Sequence, residues 1–499
     1  MTHPPETVAI DHERLKALDH TQRLYNEDLA PAKERNWKGF SIFALWTADV
    51  HSIGGYTFAA GLFFLGLIGW QVLLALVLGI VIVLVGMNLI GWAGQRTGVP
   101  YPVFSRLSFG VFGANLPALI RAIIAIAFYG IQTYLASVAL LVLGLRIFPS
   151  LQTYTEHGFL GLSWAGWVCF MALWVLQLLL FQRGMEMVRR FVDFAGPAIW
   201  IVMIVLAVSI VVATHGHLNF SIGSTRLSGP EAWRSFLAAI SLTVAYFSTL
   251  LLNYCDFSRF APTRRSITIG NFWGLPVNYT AFAILSVVVT AGSITLYGQA
   301  ITDPVLLVAK VQNTAVLVVG ALVFTVATIG INVVANFVSP AYDLANVWPK
   351  HITFRRGGAI SAVVAIIVLP WKLYSTPVII NYFLGGLAAF LGPLFGILMV
   401  DYYLLRRQRV VIEDLYRATP DSTYYYRAGW NPKALIAFIP AAAVSAVCAL
   451  VPGLGNVAAF SWFIGAALGA LLYYVVAVRG SSSSTIVRAP RPDVAPPNR

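Results

Sequence analysis

Long apolar runs separated by short polar or basic stretches recur along the chain, as in Val72–Trp92, Ile199–Ala213 and Ala434–Val451. A helix needs about 20 apolar residues to cross a bilayer, and about twelve blocks approach that length. They predict spans at 40–65, 70–92, 115–145, 162–181, 191–213, 233–253, 271–296, 314–345, 358–372, 376–402, 433–451 and 456–478. Segments of about ten alternating residues, the signature of a membrane β-barrel, do not appear. Between spans two and three, "GQRTGVPYPVFSRLSFGVFG" is too polar and too broken by Gly and Pro to cross; it reads as a short amphipathic or re-entrant element. A similar segment, "NVWPKHITFRRG", follows span eight.

Composition agrees with that pattern. Of 499 residues, 58% are hydrophobic and 11% charged, and mean hydropathy is +0.77. A soluble chain would carry roughly a quarter charged residues. The net charge of +13 comes largely from alternate loops: Arg96 and Arg106; Arg183, Arg189 and Arg190; Arg259, Arg264 and Arg265; Lys350, Arg355 and Arg356; Arg406, Arg407 and Arg409. That alternation is the positive-inside pattern and places both termini in the cytoplasm. No basic stripe is interleaved with exposed aromatics, so a nucleic-acid partner is not expected. Residues 1–38 carry no signal peptide, and the Ser-, Pro- and Arg-rich tail, 479–499, reads as disordered. Cys169, Cys255 and Cys448 suggest neither a disulfide framework nor a metal site.

Polar residues at membrane depth carry the candidate chemistry. Span one contains "LWTADVHSIGGYTF", where Gly54-Gly55 follow Asp49, His51 and Ser52 and mark a break of the helix. Discontinuous first helices are typical of transporters built from two inverted repeats. Span six, the repeat mate, is polar for its depth but has neither Gly nor Pro, so its break is only permitted. Asp49 reads either as a cap on the broken helix or as a coupling group, and His51 as a coupling group or a neutral structural histidine. Asp193, Asp256, Asp343 and Asp401 lie near basic residues or span ends, and pairing with Arg or Lys is expected for each. Span three offers Gln132 amid Phe128, Tyr129 and Tyr134; span eight offers Asn332 and Asn336 on one face. Aromatic faces stack a flat heterocycle, and amides meet its ring N–H and C=O groups.

Other classes lack support. There is no HExxH, Cys/His cluster or P-loop, and "GLGNVA" joins two apolar helices as a turn, so an enzyme is not expected. A channel would want repeated polar rings, whereas the polar groups here are single and unequal. An amino-acid carboxylate would want a cation at the midplane, and none is present.

Four stretches, "GIQTYLA", "ANFVSPAYDLA", "LPWKLY" and "FLGPLFGILMVDYYLLRRQRVVIEDLYR", resemble the nucleobase–cation symporter-1 family of hydantoin, allantoin, uracil and cytosine permeases. The resemblance runs from about Trp37 to Tyr416. It implies an all-α LeuT-like fold: a first inverted repeat over 39–213, a second over 233–402, and two further helices over 433–478. It also implies alternating access to a central site. In hydantoin-transporting members two tryptophans sandwich the ring; the matching positions here are Phe128 and Phe247. Gln132 and Asn336 match the amides that bind substrate, Leu384 the span-ten gate, and Ser52 a position usually held by Gln or Asn.

Sodium-coupled relatives use positions matching Ala48, His51, Ala327, Gly330 and Ile331, but Gly330 and Ile331 supply no side-chain oxygen for a hard cation. The expected co-transported ion is therefore a proton, with Asp49 or His51 as its carrier and Asn332 as a further coupling candidate. No cofactor or resident metal is expected. The partners expected are a small planar heterocycle, with uracil favoured over allantoin or hydantoin, and the lipid bilayer; the unit is read as a monomer.

Overall fold

The computed structural model describes residues 12–51, 53–220, 227–301, 306–307, 310, 314–374 and 389–479. Ser52, Leu384, most of the tail and the first half of span ten lie outside the described residues.

The first predicted span is two helices, α2 (Gly39–Val50) and α3 (Ile53–Gly61). The break falls earlier than the glycine pair suggests. Gly54 and Gly55 lie inside α3, while α2 ends at His51 with φ −83° and ψ 66°. That is the geometry of an inverse γ-turn, which any L-residue adopts, so the break requires no glycine. Span six is also broken. Helix α10 (Gly229–Tyr246) and helix α11 (Ser248–Asn253) part at Phe247, whose φ of −90° and ψ of 2° lie in the bridge region. A single-turn helix, α12 (Cys255–Ser258), continues the line.

The other spans are α4 (Gly69–Thr97), α7 (Asn115–Ile147), α8 (Trp164–Gln182), α9 (Met185–Ala213) and α13 (Arg264–Tyr297). They continue as α14 (Thr314–Ile331), a π turn over Asn332–Phe337, α15 (Val338–Val347) and α16 (Phe354–Ile367). After α17 (Pro370–Tyr374) come α18 (Ala389–Leu405), α19 (Pro432–Leu450), α20 (Gly455–Ala458) and α21 (Ser461–Arg479). Among the described residues, seven helices are long and apolar enough to cross a membrane. Bulky apolar side chains such as Ile123, Phe194, Val212 and Ile439 stay more than 60% exposed, as a lipid-facing surface requires. The "GLGNVA" stretch is a turn between α19 and α21, as expected.

Two differences concern the end of the bundle that carries the basic loops. The Gly- and Pro-broken segment after α4 forms two single-turn helices, α5 (Tyr101–Phe104) and α6 (Arg106–Phe109). Every residue of both is buried, so the segment is a packed plug rather than a surface amphipath. Its polarity is spent on internal bonds: Arg106 donates to the carbonyls of Leu415 and Leu24 and to the Asn346 side chain. Ahead of α2, helix α1 (His12–Leu18) leads into an irregular strap across the same end. The strap's main chain is held by Ala32 N–H on Gly98 O (2.9 Å), Trp37 N–H on Phe260 O (3.1 Å) and the Arg259 guanidinium on the carbonyls of Asp28 and Ala30.

Helix α2 packs against α9 and α13, and α10 against α4. Helix α14 packs against α7 and α9, and α15 against α7 and α16. The first broken helix also meets α14, and the π turn faces α7.

Candidate functional site

Helix α7 presents Phe128, Tyr129, Gln132 and Thr133 on successive turns, opposite the π turn that carries Asn332 and Asn336. The Tyr129 ring stacks on Phe337 at 4.7 Å, and Phe337 meets Phe181 at 4.1 Å, which locks the π turn onto α7 and α8. Behind this contact lies a buried amide network. Asn332 Nδ2 donates to Gln177 Oε1 (2.7 Å), Thr133 Oγ1 (2.9 Å) and Tyr129 O (3.1 Å). Asn336 Nδ2 donates to Asn332 Oδ1 at 3.2 Å, which confirms that the two asparagines share a face.

Gln132 is 7% exposed and Asn336 5%. Gln132 Oε1 has no hydrogen-bond partner among the described residues. A buried acceptor left this way costs roughly 1–3 kcal/mol unless a ligand or water meets it. Phe247, at the break of span six, is buried and meets the rings of Tyr246 (5.3 Å) and Tyr279 (5.5 Å) edge-on. Tyr246 in turn stacks on Phe58 of α3 at 4.7 Å, so both broken helices contribute to the aromatic wall. Phe128 is half-buried on α7.

Of the positions matching a sodium site, Ala48 and Gly330 meet. A Cβ placed on Gly330 would lie 3.3 Å from Ala48 Cβ and 3.5 Å from Ala48 O, so α2 and α14 are in contact there. Ala327 and Ile331, on the same stretch of α14, are buried. His51 points elsewhere: its ring stacks on Phe282 at 4.6 Å and meets Trp200 edge-on at 4.8 Å. The nearby Asn278 amide is committed to Trp200 Nε1 and Gly274 O. Asp49 is 3% exposed and has no ion-pair partner within 4 Å among the described residues.

The expectation for the four other aspartates holds for two. Asp193 pairs with Arg189 (3.1 Å) and Asp401 with Arg406 (3.0 Å). Asp256 instead accepts from Tyr101 N–H (2.8 Å) and Asn253 Nδ2 (3.2 Å). Asp343 is fully buried near Arg121, Asp256 and Ser339, yet closes no ion pair within 4 Å among the described residues. Arg121 spends one nitrogen on Ala335 O (2.8 Å), and its Nε and Nη1 have no partners among the described residues. The two pairs that form join residues four and five positions apart, whereas the surroundings of Asp256 and Asp343 come from distant segments. Sequence reasoning passed over Gln177, Thr133 and Arg121. The signal was available for Gln177, an amide inside the apolar run "WVLQLLLFQ".

With this geometry in view, comparison with known proteins is decisive. A family model described as "Permease for cytosine/purines, uracil, thiamine, allantoin" matches residues 30–465. The chain belongs to this family, the nucleobase–cation symporter-1 permeases. The allantoin permease of Bacillus subtilis (strain 168) is 37% identical over 470 residues, covering 93% of this chain and 95% of that protein. The purine-uracil permease NCS1 of Arabidopsis thaliana is 34% identical over 436 residues, covering 86% and 71%. A structure of the nucleobase-cation-symport-1 transporter Mhp1, closed with bromovinylhydantoin bound, superposes with a TM-score of 0.74 at 24% identity. It covers 91% of this chain and 96% of that one, and shows the fold. The nucleobase–cation symporter-1 chain is therefore an integral membrane permease of LeuT-like fold, not an enzyme, and works on nucleobase-related compounds by alternating access.

Proposed function

We propose that this permease imports a small uncharged cyclic ureide, uracil or allantoin, coupled to a proton. The observation that carries the reading is the pairing of two under-used amides, Gln132 and Asn336, on facing elements beside aromatic rings. A cyclic ureide offers alternating N–H and C=O groups in a flat ring, which suits amide readers and a stacking wall. Phenyl rings at Phe128 and Phe247 favour a compact ring such as uracil, while the 37%-identical relative favours allantoin. Ser52 and Leu384 complete the proposed pocket as a substrate contact and a gate.

Proton coupling is supported by what the Ala48–Gly330 contact lacks. Gly330 and Ile331 bring no side-chain oxygen, and a hard cation needs several oxygen ligands. Asp49 is favoured over His51 as the carrier, because His51 is packed among rings away from that contact. The basic end of the bundle is assigned to the cytoplasm, and the inverted repeats to 39–213 and 233–402. An ion that binds near the α2 break shifts the equilibrium only as far as its affinities for the two states differ.

Thermal stabilisation of the purified chain against uracil, allantoin, hydantoin and cytosine, with and without Na⁺, tests the substrate. Uptake into proteoliposomes under an imposed pH or Na⁺ gradient tests the coupling. Uptake that requires Na⁺ and ignores the pH gradient overturns the proton assignment.

A further inference from the structure

The polarity of the Asn336 amide is fixed by a hydrogen-bond chain that starts at two main-chain carbonyls. Carbonyl oxygens only accept. Thr133 donates its single hydroxyl proton to Tyr129 O at 2.8 Å, so its lone pairs face inward to the network. Gln177 Nε2 donates to Leu173 O (3.2 Å) and to Thr133 Oγ1 (3.2 Å), which turns Gln177 Oε1 towards Asn332. Three acceptors, Gln177 Oε1, Thr133 Oγ1 and Tyr129 O, then surround Asn332 Nδ2. A flipped Asn332 would set its own oxygen against all three. Asn332 Oδ1 must therefore face Asn336 Nδ2, and among the described residues no donor meets Asn336 Oδ1. Gln177 and Thr133 are both fully buried, so water does not compete for these bonds.

We propose that Gln177, together with Thr133, is a positioning residue that sets substrate specificity by holding Asn336 as an acceptor. The pocket then demands an N–H donor on the ring edge that meets Asn336, and rejects a ring with a methyl group or a carbonyl there. This rests on the reading of Gln132 and Asn336 as the substrate site. Without Gln177 the Asn332 amide loses its shortest bond, the Asn336 amide turns freely, and donor and non-donor edges become nearly equivalent.

The test measures binding of uracil, 1-methyluracil, 3-methyluracil, allantoin and hydantoin to the purified full-length chain by calorimetry. The wild type separates the preferred parent from its worse N-methylated or non-donor analogue by about tenfold or more. Gln177→Leu binds that parent within about tenfold of wild type but discriminates less than about threefold. Thr133→Val removes the same anchor from α7 and reproduces the loss should Gln177→Leu not fold. Full discrimination in both Gln177→Leu and Thr133→Val overturns the proposal, as does equal loss of all ligands in both. Asn336→Ala binding the parent like wild type overturns the site reading instead.

Discussion

At the scale of single residues, the site rests on groups whose polar atoms have no reason to be buried except a ligand. Gln132 Oε1 is such an atom, buried without a hydrogen-bond partner among the described residues, and Asn336 Oδ1 is an acceptor to which no described residue donates. Gln132→Ala should weaken substrate binding by about 1–3 kcal/mol, roughly 5- to 150-fold, with little change in melting temperature without ligand. Calorimetry paired with a thermal melt separates the two quantities. Arg121 behaves differently, because it lies near the buried Asp256 and Asp343 without closing an ion pair to either among the described residues. Arg121→Leu should cost about 1–3 kcal/mol, because Ala335 O loses its donor and Asp256 and Asp343 lose their positive neighbour. Adding Asp343→Asn to Arg121→Leu should recover part of that loss, as read by thermal unfolding in detergent. Gln132, Asn332 and Asn336 were legible in the sequence because an amide stands out in an apolar run. The ring packing of His51 and the missing partner of Asp343 were not, because neighbours distant in sequence supply those environments.

At the scale of elements, two helices break without help from Gly or Pro at the break itself, at His51 and at Phe247. Glycine matters more where helices touch. Cβ atoms on Gly392 and Gly396 of α18 would overlap Trp462 O and Ala466 O of α21. Gly465 and Gly469 of α21 approach Pro393 in return. Four glycines, paired at spacing four on each helix, let the two backbones meet as small-residue motifs do in membranes. The obstacle is main chain, which cannot rotate away. Gly396→Ala should therefore cost about 1–3 kcal/mol, whereas Gly453→Ala, with nothing within 4 Å, should stay within about 0.5 kcal/mol. Melting temperatures of the two variants check the contrast.

At the scale of the whole molecule, the strap ahead of α2 joins parts of the chain far apart in sequence. Arg259 is its anchor: buried, bonded to Asp28 O, Ala30 O and the Tyr342 hydroxyl, and lying over the rings of Phe260 and Tyr342. Tyr416 Oη adds a bond to Leu29 O at 2.8 Å, and Phe354 N–H donates to Asp28 Oδ2 at 2.8 Å. Arg259→Ala should release residues 28–32 before any global unfolding, because those carbonyls lose their donors while the helix core keeps its packing. Hydrogen exchange that rises first at 28–32 is the expected result. Exchange that rises uniformly over the chain would show that the strap is not a separate unit.

The sequence by itself determined the class of molecule: about twelve apolar blocks demand helices in lipid, because no other open structure satisfies its backbone there. It also determined the amides and rings of the candidate site, and a break in span one, since polar groups in hydrocarbon are costly enough to be conspicuous. Only the tertiary structure decided where the breaks fall, that span six has one, and that residues 12–38 form a strap. It alone decided that Gln177 and Thr133 orient Asn332 and, through it, Asn336. Those outcomes depend on hydrogen bonds and ring contacts between residues dozens to hundreds of positions apart, and no local pattern of hydrophobic and polar positions encodes such geometry.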